Sequence, residues 1–403
     1  MPWSAALKRS RPNQRTSSSK AATRNSAAWA RSSKMSSSRR GGPGWRRDGA
    51  GGRTHGACSG GESMPATAPT KFLAACVSML LLAAGLSAQR GTEALPNPYR
   101  MVEGWGELPE GVLWGSSIGI IPDGEGGLWL HHRSDPPIIK LDSSGKAVKA
   151  FGEGMFVQAH GFCMDQDGNL WAGDSGPFGD DPSKAGRGYQ FFKFSQDGEL
   201  LLTLGKAGVS KAGKDTFIAP TACAVAPNGD IIIADGHFPR PSTSQQDGDR
   251  LVRFTSDGEY VDEWGKKGTG PGEFDGPHAL AFDSRGRLFV ADRSNDRVQI
   301  FDQDMNFVDD WRQFGRPSGI AIISGDFLLV SDSESGKTIA GAVRNPSGEN
   351  GIRIGRAGDG EVLVFIDGTD PEGLGADDLG NVFAGLTRQP RASPPLLQKW
   401  VKR

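Results

Sequence analysis

Long apolar runs are missing from this 403-residue chain. The most apolar stretch, Phe72 to Leu82 in "KFLAACVSMLLLAAGLSA", is shorter than the ~20 residues a spanning helix requires. No stable membrane span is expected once that stretch is removed. Cysteine is also scarce, at four residues, too few for a dense disulfide scaffold. Basic clusters are absent from the larger part of the chain: beyond residue 63, 33 Lys and Arg face 45 Asp and Glu. Lines of Arg and Lys that would follow a phosphate backbone are lacking there, which excludes nucleic acid as a partner.

The other 13 basic residues all lie in residues 1–63, against Asp48 and Glu62 alone. That block is Ser, Arg and Gly with almost no aliphatic content; it cannot bury a core and is expected to be disordered. Residues 64–88 read as a secretory signal peptide. Met64 is its natural first residue, Lys71 its positive start, and Leu86-Ser87-Ala88 ends in a small residue suited to cleavage. A signal this far into a chain suggests that residues 1–63 are an extension from a misplaced start; a genuine basic tail before a membrane anchor is the other reading. Residues 89–403 are then the mature, secreted domain, expected as a monomer. Cleavage leaves Cys163 and Cys223, each at an apolar position of a strand-like run. They are expected as buried free thiols rather than as a disulfide, the other reading, because equivalent inner strands of different sheets lie apart.

Glycine, by contrast, is abundant: 58 residues, about twice the usual share of roughly 7%. The excess fits many short strands joined by tight turns, and the turns repeat. "HGFCMDQDGNLWAGD" starts at His160, "TACAVAPNGDIIIAD" at Thr221, "HALAFDSRGRLFVAD" at His278, "SGIAIISGDFLLVSD" at Ser318 and "EGLGADDLGNVFAG" at Glu372. A weaker copy, "SIGIIPDGEGGLWLHHR", starts at Ser117. Each gives an apolar strand, a polar turn with glycine and a second apolar strand. Several copies continue into third and fourth strands, as in "RLVRFTSDGEYVDEWG". Four strands at a period of 40 to 61 residues are the blades of a propeller. The expected fold is therefore all-β, a six-bladed β-propeller. The last copy runs out after its third strand, and "YRMVEGWGE" at Tyr99–Glu107 shares the Val-acidic-x-Trp core of "YVDEWG". The N-terminal strand is expected to complete blade 6 and close the ring, which removes exposed sheet edges.

The phrases "PGEFDGPHALAFDSRGRLFVADRSNDRVQIF" and "PTACAVAPNGDIIIADG" resemble NHL repeats. Taken in order, residues 99–403 resemble bacterial members of the peptidyl-α-hydroxyglycine α-amidating lyase family. "WLHHRSDPPIIKLDSSG" and "AHGFCMDQDGNLWAGD" carry most of the remaining likeness. The resemblance implies a zinc ion on the propeller axis held by histidines at strand starts, an arginine and a tyrosine that serve cleavage of the hydroxyglycine C–N bond, and a structural calcium ion. His160 and His278 match two of the zinc histidines, and Arg133 in "HHRSDPP" matches the active-site arginine. Arg293 in "ADRSN" matches a second arginine near the pocket. Two departures stand out. Glu372 takes the third histidine's place and Gly373 that of the acidic residue expected for calcium. The tyrosine falls at His237, followed by the insertion "PRPSTSQQDGD". These departures put both the calcium site and tyrosine-dependent chemistry in question.

Ring geometry points to the same residues independently. With Ser117 counted as opening blade 1, His160, His278 and Glu372 open blades 2, 4 and 6 and converge on the axis. Two imidazoles and a carboxylate suit catalytic zinc or non-haem iron; a solvated channel without metal is the alternative. The intervening Ser117, Thr221 and Ser318 would leave that space open. Arg133 either binds a substrate carboxylate bidentately or pairs with Asp135 at the surface. Arg293 is the second candidate for substrate binding. His237 is either a general base or an ordinary loop histidine. His131 and His132 read as a strand end and its exposed neighbour, and Asp235–Arg250 and Asp292–Arg297 as structural ion pairs. "GTGPGEF" does not open a helix, so it is no phosphate loop.

Two functions fit. One is a secreted, metal-dependent lyase-like enzyme resembling peptidylamidoglycolate lyase, acting on a small-molecule or peptide substrate and releasing glyoxylate. The other is a non-catalytic propeller binding a peptide, glycan or protein on its top face. A lactonase-type propeller is a weaker third reading, since its usual acidic metal ligands are not recognisable.

Overall fold

A computed structural model describes residues 94–177, 182–237, 248–339, 341–387 and 395–403. The basic block, the signal-like stretch and most of the 239–249 insertion lie outside the described residues.

Six four-stranded antiparallel sheets make up the fold. Blade 1 comprises Ser117–Pro122, Leu128–His132, Ile138–Leu141 and Ala147–Phe151, and blade 2 Ala159–Met164, Leu170–Asp174, Gln190–Phe194 and Leu200–Leu204. Blades 3, 4 and 5 open with Pro220–Val225, Pro277–Phe282 and Pro317–Ile323. Blade 6 holds Pro371–Ala376, Val382–Leu386 and Leu397–Lys402, and its fourth strand is Tyr99–Val102. The fold is a six-bladed β-propeller. Blade 5 carries an addition that the repeat pattern did not reveal, a small hairpin of Thr338–Ile339 and Ala342–Val343 between its second and third strands.

Burial explains the sequence pattern. The second strand of a blade is sandwiched between neighbouring sheets, so both faces must be apolar; "IIIAD" and "LFVAD" are buried throughout. The outermost strand has one free face, and "YVDEW" accordingly alternates in exposure. One apolar cluster fills each inter-blade space. Trp129, Phe151, Leu170 and Phe194 lie between blades 1 and 2, and Trp105, Leu130, Phe383 and Leu397 between blades 6 and 1. Tight turns are closed by aspartate. Asp165 Oδ1 accepts from the amides of Asp167 and Asn169 at 3.1 and 2.8 Å, and Asp283 Oδ1 from those of Arg285 and Arg287 at 3.0 and 2.8 Å, with the intervening Gly168 and Gly286 in the left-handed region.

Two expectations need correction here. Cys163 and Cys223 are not free thiols: they form a disulfide between the first strands of blades 2 and 3, with Cα atoms 5.7 Å apart. Equivalent strands of neighbouring blades converge at the inner rim of the ring, a proximity that strand assignment alone does not reveal. His132 is not exposed either, and neither is His131; both have 0% relative accessibility. His132 Nδ1 accepts from the Gly115 amide at 3.3 Å while Nε2 lies 2.9 Å from the Pro136 carbonyl, so the ring pins the loop that follows it.

Candidate metal centre on the propeller axis

Each first strand begins with a register shift against its neighbour. The irregularity falls between Ala159 and Phe162, Pro220 and Ala222, Pro277 and Leu280, Pro317 and Gly319, and Pro371 and Gly373. A bulge re-aims the extra residue, here toward the axis. The residues so placed are His160, Thr221, His278, Ser318 and Glu372, which line the top of one axial channel. In blade 1 the shift lies between Ser117 and Gly119. Ile118, not Ser117, therefore occupies the equivalent position and lines the channel. Ser117 corresponds to Pro317 of blade 5, so the axial position falls one residue later.

His160 Nδ1 lies 2.5 Å from the Thr221 carbonyl and His278 Nδ1 2.6 Å from the Ser318 carbonyl. A carbonyl can only accept, so each Nδ1 carries the hydrogen and donates it to the next blade. Burial first, then the charges of neighbouring groups (the other histidine and Arg133 for His160, Arg293 for His278), lower both histidine pKa values and keep the rings neutral. Their Nε2 atoms are then bare lone pairs, buried and without a hydrogen bond. Glu372 Oε1 stands 3.6 Å from His160 Nε2 and 3.4 Å from His278 Nε2. Burial raises the Glu372 pKa, but the charges of Arg133 and then Arg293 act against it, and the carboxyl is held well below its usual range. In that tautomer three acceptors face one another, an arrangement that could hold a cation. The two imidazoles oriented by backbone carbonyls are arranged as metal ligands usually are.

His237 joins this group. Its ring centroid is 4.6 Å from that of His160 and 5.5 Å from that of His278. Ligand-capable atoms of His160, His237, His278 and Glu372 all lie within 4.8 Å of one another, and the four could hold a metal ion. Burial, then His160 and Arg293, depress the His237 pKa well below its ordinary value.

The rim is cationic. Arg133 reaches Glu372 Oε1 at 3.5 Å and the Ala159 carbonyl at 3.1 Å. The surface pair with Asp135 does not form, since Asp135 Oδ1 accepts from the Gly154 amide at 2.9 Å and Arg133 turns inward. With its amide oxygen toward the guanidinium, Gln158 accepts from Arg133 at 2.5 to 3.2 Å. Arg293 faces Glu334 at 3.7 Å. Arg316, in turn, bonds Glu334 at 2.8 Å, the Arg293 carbonyl at 2.9 Å and Asp296 at 3.0 Å. Gln158, Glu334 and Arg316 escaped the sequence reading because no repeat position marks them. A cavity of about 320 Å³ adjoins Arg133, with Phe156, Val157 and Arg187 among its walls. Below the ligand ring the axial channel, about 340 Å³, is lined by Ile120, Phe162, Leu280, Ile320 and Leu374 among others. At Gly373 an added Cβ would lie 2.5 Å from the Ile118 carbonyl oxygen and 2.7 Å from that of Ser117, so an acidic side chain for calcium has no room there without backbone movement.

A six-bladed propeller with a buried histidine–carboxylate group on its axis is the class that fold and site define. Residues 274–301 match the NHL repeat model. The chain is 33% identical to peptidyl-glycine alpha-amidating monooxygenase A of Xenopus laevis over 184 residues, 43% of this chain and 18% of that one. It is 29% identical to a probable peptidyl-alpha-hydroxyglycine alpha-amidating lyase of Caenorhabditis elegans over 193 residues, 47% and 49% of the two chains. The alignments thus span less than half of these two curated relatives. A streptogramin B lyase structure superposes with a TM-score of 0.46 at 12% identity, covering 76% of this chain and 98% of that one; the fold assignment here rests on the strand pairing itself. The chain therefore contains an NHL repeat and is homologous to the α-amidating lyase family at about 30% identity.

Proposed function

We propose that this chain is a secreted, metal-dependent carbon–nitrogen lyase acting on α-hydroxyglycine-type substrates. The observation that carries the reading is the convergence of His160 Nε2, His278 Nε2 and Glu372 Oε1 beside Arg133 and the buried Arg293. Those three residues would hold zinc or iron through two nitrogens and one oxygen, with a position open to water or substrate. When bound, such an ion supplies Lewis acidity to the substrate hydroxyl or carbonyl.

The chain's own groups account for the rest. Arg133 and Arg293 are placed to bind the substrate carboxylate and orient the hydroxylated carbon. His237, neutral at physiological pH, takes the hydroxyl proton on its unprotonated ring nitrogen. The C–N bond then breaks, the oxygen lone pair becomes the aldehyde of glyoxylate, and the proton passes to the leaving amide nitrogen. The Cys163–Cys223 disulfide supports secretion, since such bonds persist in oxidising compartments.

The test uses purified residues 89–403. Elemental analysis should give about one zinc or iron per chain, and synthetic peptidyl α-hydroxyglycine should release glyoxylate at a rate that a chelator abolishes. His237→Ala should retain the metal and lose turnover. A protein free of transition metal would overturn the reading, and metal loss in His237→Ala would make that residue the fourth ligand instead of the base.

A further inference from the structure

The disulfide lies close to the ligand ring. His160 is held by a bond that crosses between sheets, from its Nδ1 to the Thr221 carbonyl of blade 3 at 2.5 Å. Cys163 and Cys223 sit three and two residues further along those same two strands and are bonded to each other. No backbone ladder joins these strands, which belong to different sheets. Their backbones nevertheless touch: a Cβ at Gly161 would come 2.9 Å from the Ala222 Cα. Both cysteines also line the axial channel beneath the metal ligands, where a small reductant could reach them.

We propose that Cys163 and Cys223 are positioning residues of the metal centre, and that their redox state sets how tightly the metal is held. This rests on the reading of His160, His278 and Glu372 as metal ligands. A dithiol reductant supplies two electrons and two protons to the S–S bond, which breaks to give the Cys163 and Cys223 thiols; the reductant becomes a cyclic disulfide. The two sulfurs then move from bonding to van der Waals distance between strands already in contact. The displacement spreads blades 2 and 3 at the level of the His160–Thr221 bond and tilts the imidazole away from His278 and Glu372. The ring also shifts relative to His237, which blade 3 carries.

The experiment loads the protein with cobalt(II) and follows both its visible absorption and its transfer to a chelator. Four samples are compared: the oxidised protein, the protein reduced by a dithiol, the Cys163→Ala/Cys223→Ala variant, and Tyr260→Ala. The last loosens the same blade 2–blade 3 junction from the outer strand of blade 3 and controls for lost stability with the disulfide intact. Reduction and the double variant should each speed release at least tenfold and alter the cobalt spectrum, with reoxidation restoring the wild-type rate. Tyr260→Ala should melt lower yet release at the wild-type rate. Cobalt that binds the oxidised protein and leaves all samples at one rate would overturn the proposal. Failure of the oxidised protein to bind cobalt would instead remove the metal reading beneath it. If the double variant does not fold, the reduced wild type decides alone.

Discussion

At the scale of single residues, His131 tests how firmly the interior enforces neutrality. Its ring is fully buried between Phe156 and Phe162, with centroids 4.7 and 5.2 Å away, and makes no hydrogen bond of good geometry. Burial, aided by the charges of His132 and Arg133, lowers its pKa to about 3. The unfolded chain has an ordinary histidine pKa of roughly 6.5, so it binds protons more readily than the folded protein. The stability tied to the neutral ring is therefore complete above the unfolded value and is lost progressively as pH falls from there toward about 3. A buried imidazole without well-formed hydrogen bonds costs about 1–3 kcal/mol. His131→Leu should thus raise the melting temperature of the metal-free protein at neutral pH, and the gap from wild type should widen at pH ~4.5. Equal gaps at the two pH values would mean that the ring is not held neutral.

The proposed metal ligands belong to the same scale. His160→Ala, His278→Ala and Glu372→Ala should each strip most of the metal while leaving the circular dichroism of the propeller, since six inter-blade clusters hold the ring. A variant that keeps full metal would remove that residue from the set. The strand-start positions of these residues were legible because the repeat recurs along the chain. What stayed hidden depends on distance across the ring: the contact between Cys163 and Cys223, the burial of His131 and His132, and the approach of Arg133 to Glu372. No one-dimensional spacing encodes them.

At the scale of elements, the recurrent Asp–Arg pair ties the second strand of a blade to the third. Asp235 faces Arg250 and Asp292 faces Arg297 in register, with Nε–Oδ2 distances of 3.1 and 2.8 Å. Asp292 also accepts from the Asp275 amide at 2.8 Å, and Arg297 donates to the carbonyls of Gly270 and Glu273 at 2.8 and 3.0 Å. The pair thereby clamps the connection that leads into His278. Asp292→Ala would leave Arg297 buried without its main partner, at a cost of about 3–5 kcal/mol. The double variant Asp292→Ala/Arg297→Met should recover part of that loss, because the uncompensated charge goes too. Denaturant titration of both variants measures this; a double variant no more stable than the single one would show that the pair acts through the loop alone. These pairs were readable in the sequence because they repeat. The blade 5 hairpin was not, because it occurs once, and Ile118 was not, because blade 1 has Ser117 where blades 3 to 6 have a proline before the axial residue.

For the whole molecule, the last question is what closes the ring. Tyr99–Val102 pairs antiparallel with Leu397–Lys402, with Tyr99 opposite Lys402 and Val102 opposite Lys399, so the two ends of the described chain share one sheet. The segment then crosses to blade 1. Trp105 lodges between blades 6 and 1, its ring 5.3 Å from that of Phe383. Glu107 accepts from the Ala147 amide at 2.9 Å and donates its own amide to the Gly145 carbonyl at 2.7 Å. One short stretch therefore supplies an edge strand to the last blade, a buried indole to the junction and a backbone clasp to the first blade. Deleting residues 97–107 would expose the Leu397–Lys402 edge, a template for aggregation, and remove an indole whose loss alone costs about 3–5 kcal/mol. The truncated protein should melt lower by roughly 10 °C or more and self-associate on sizing. Trp105→Ala should give a smaller loss without self-association, because the strand still covers the edge. A truncated protein that melts with the parent and associates no further would show that the blade 6–blade 1 packing holds the ring without its N-terminal strand.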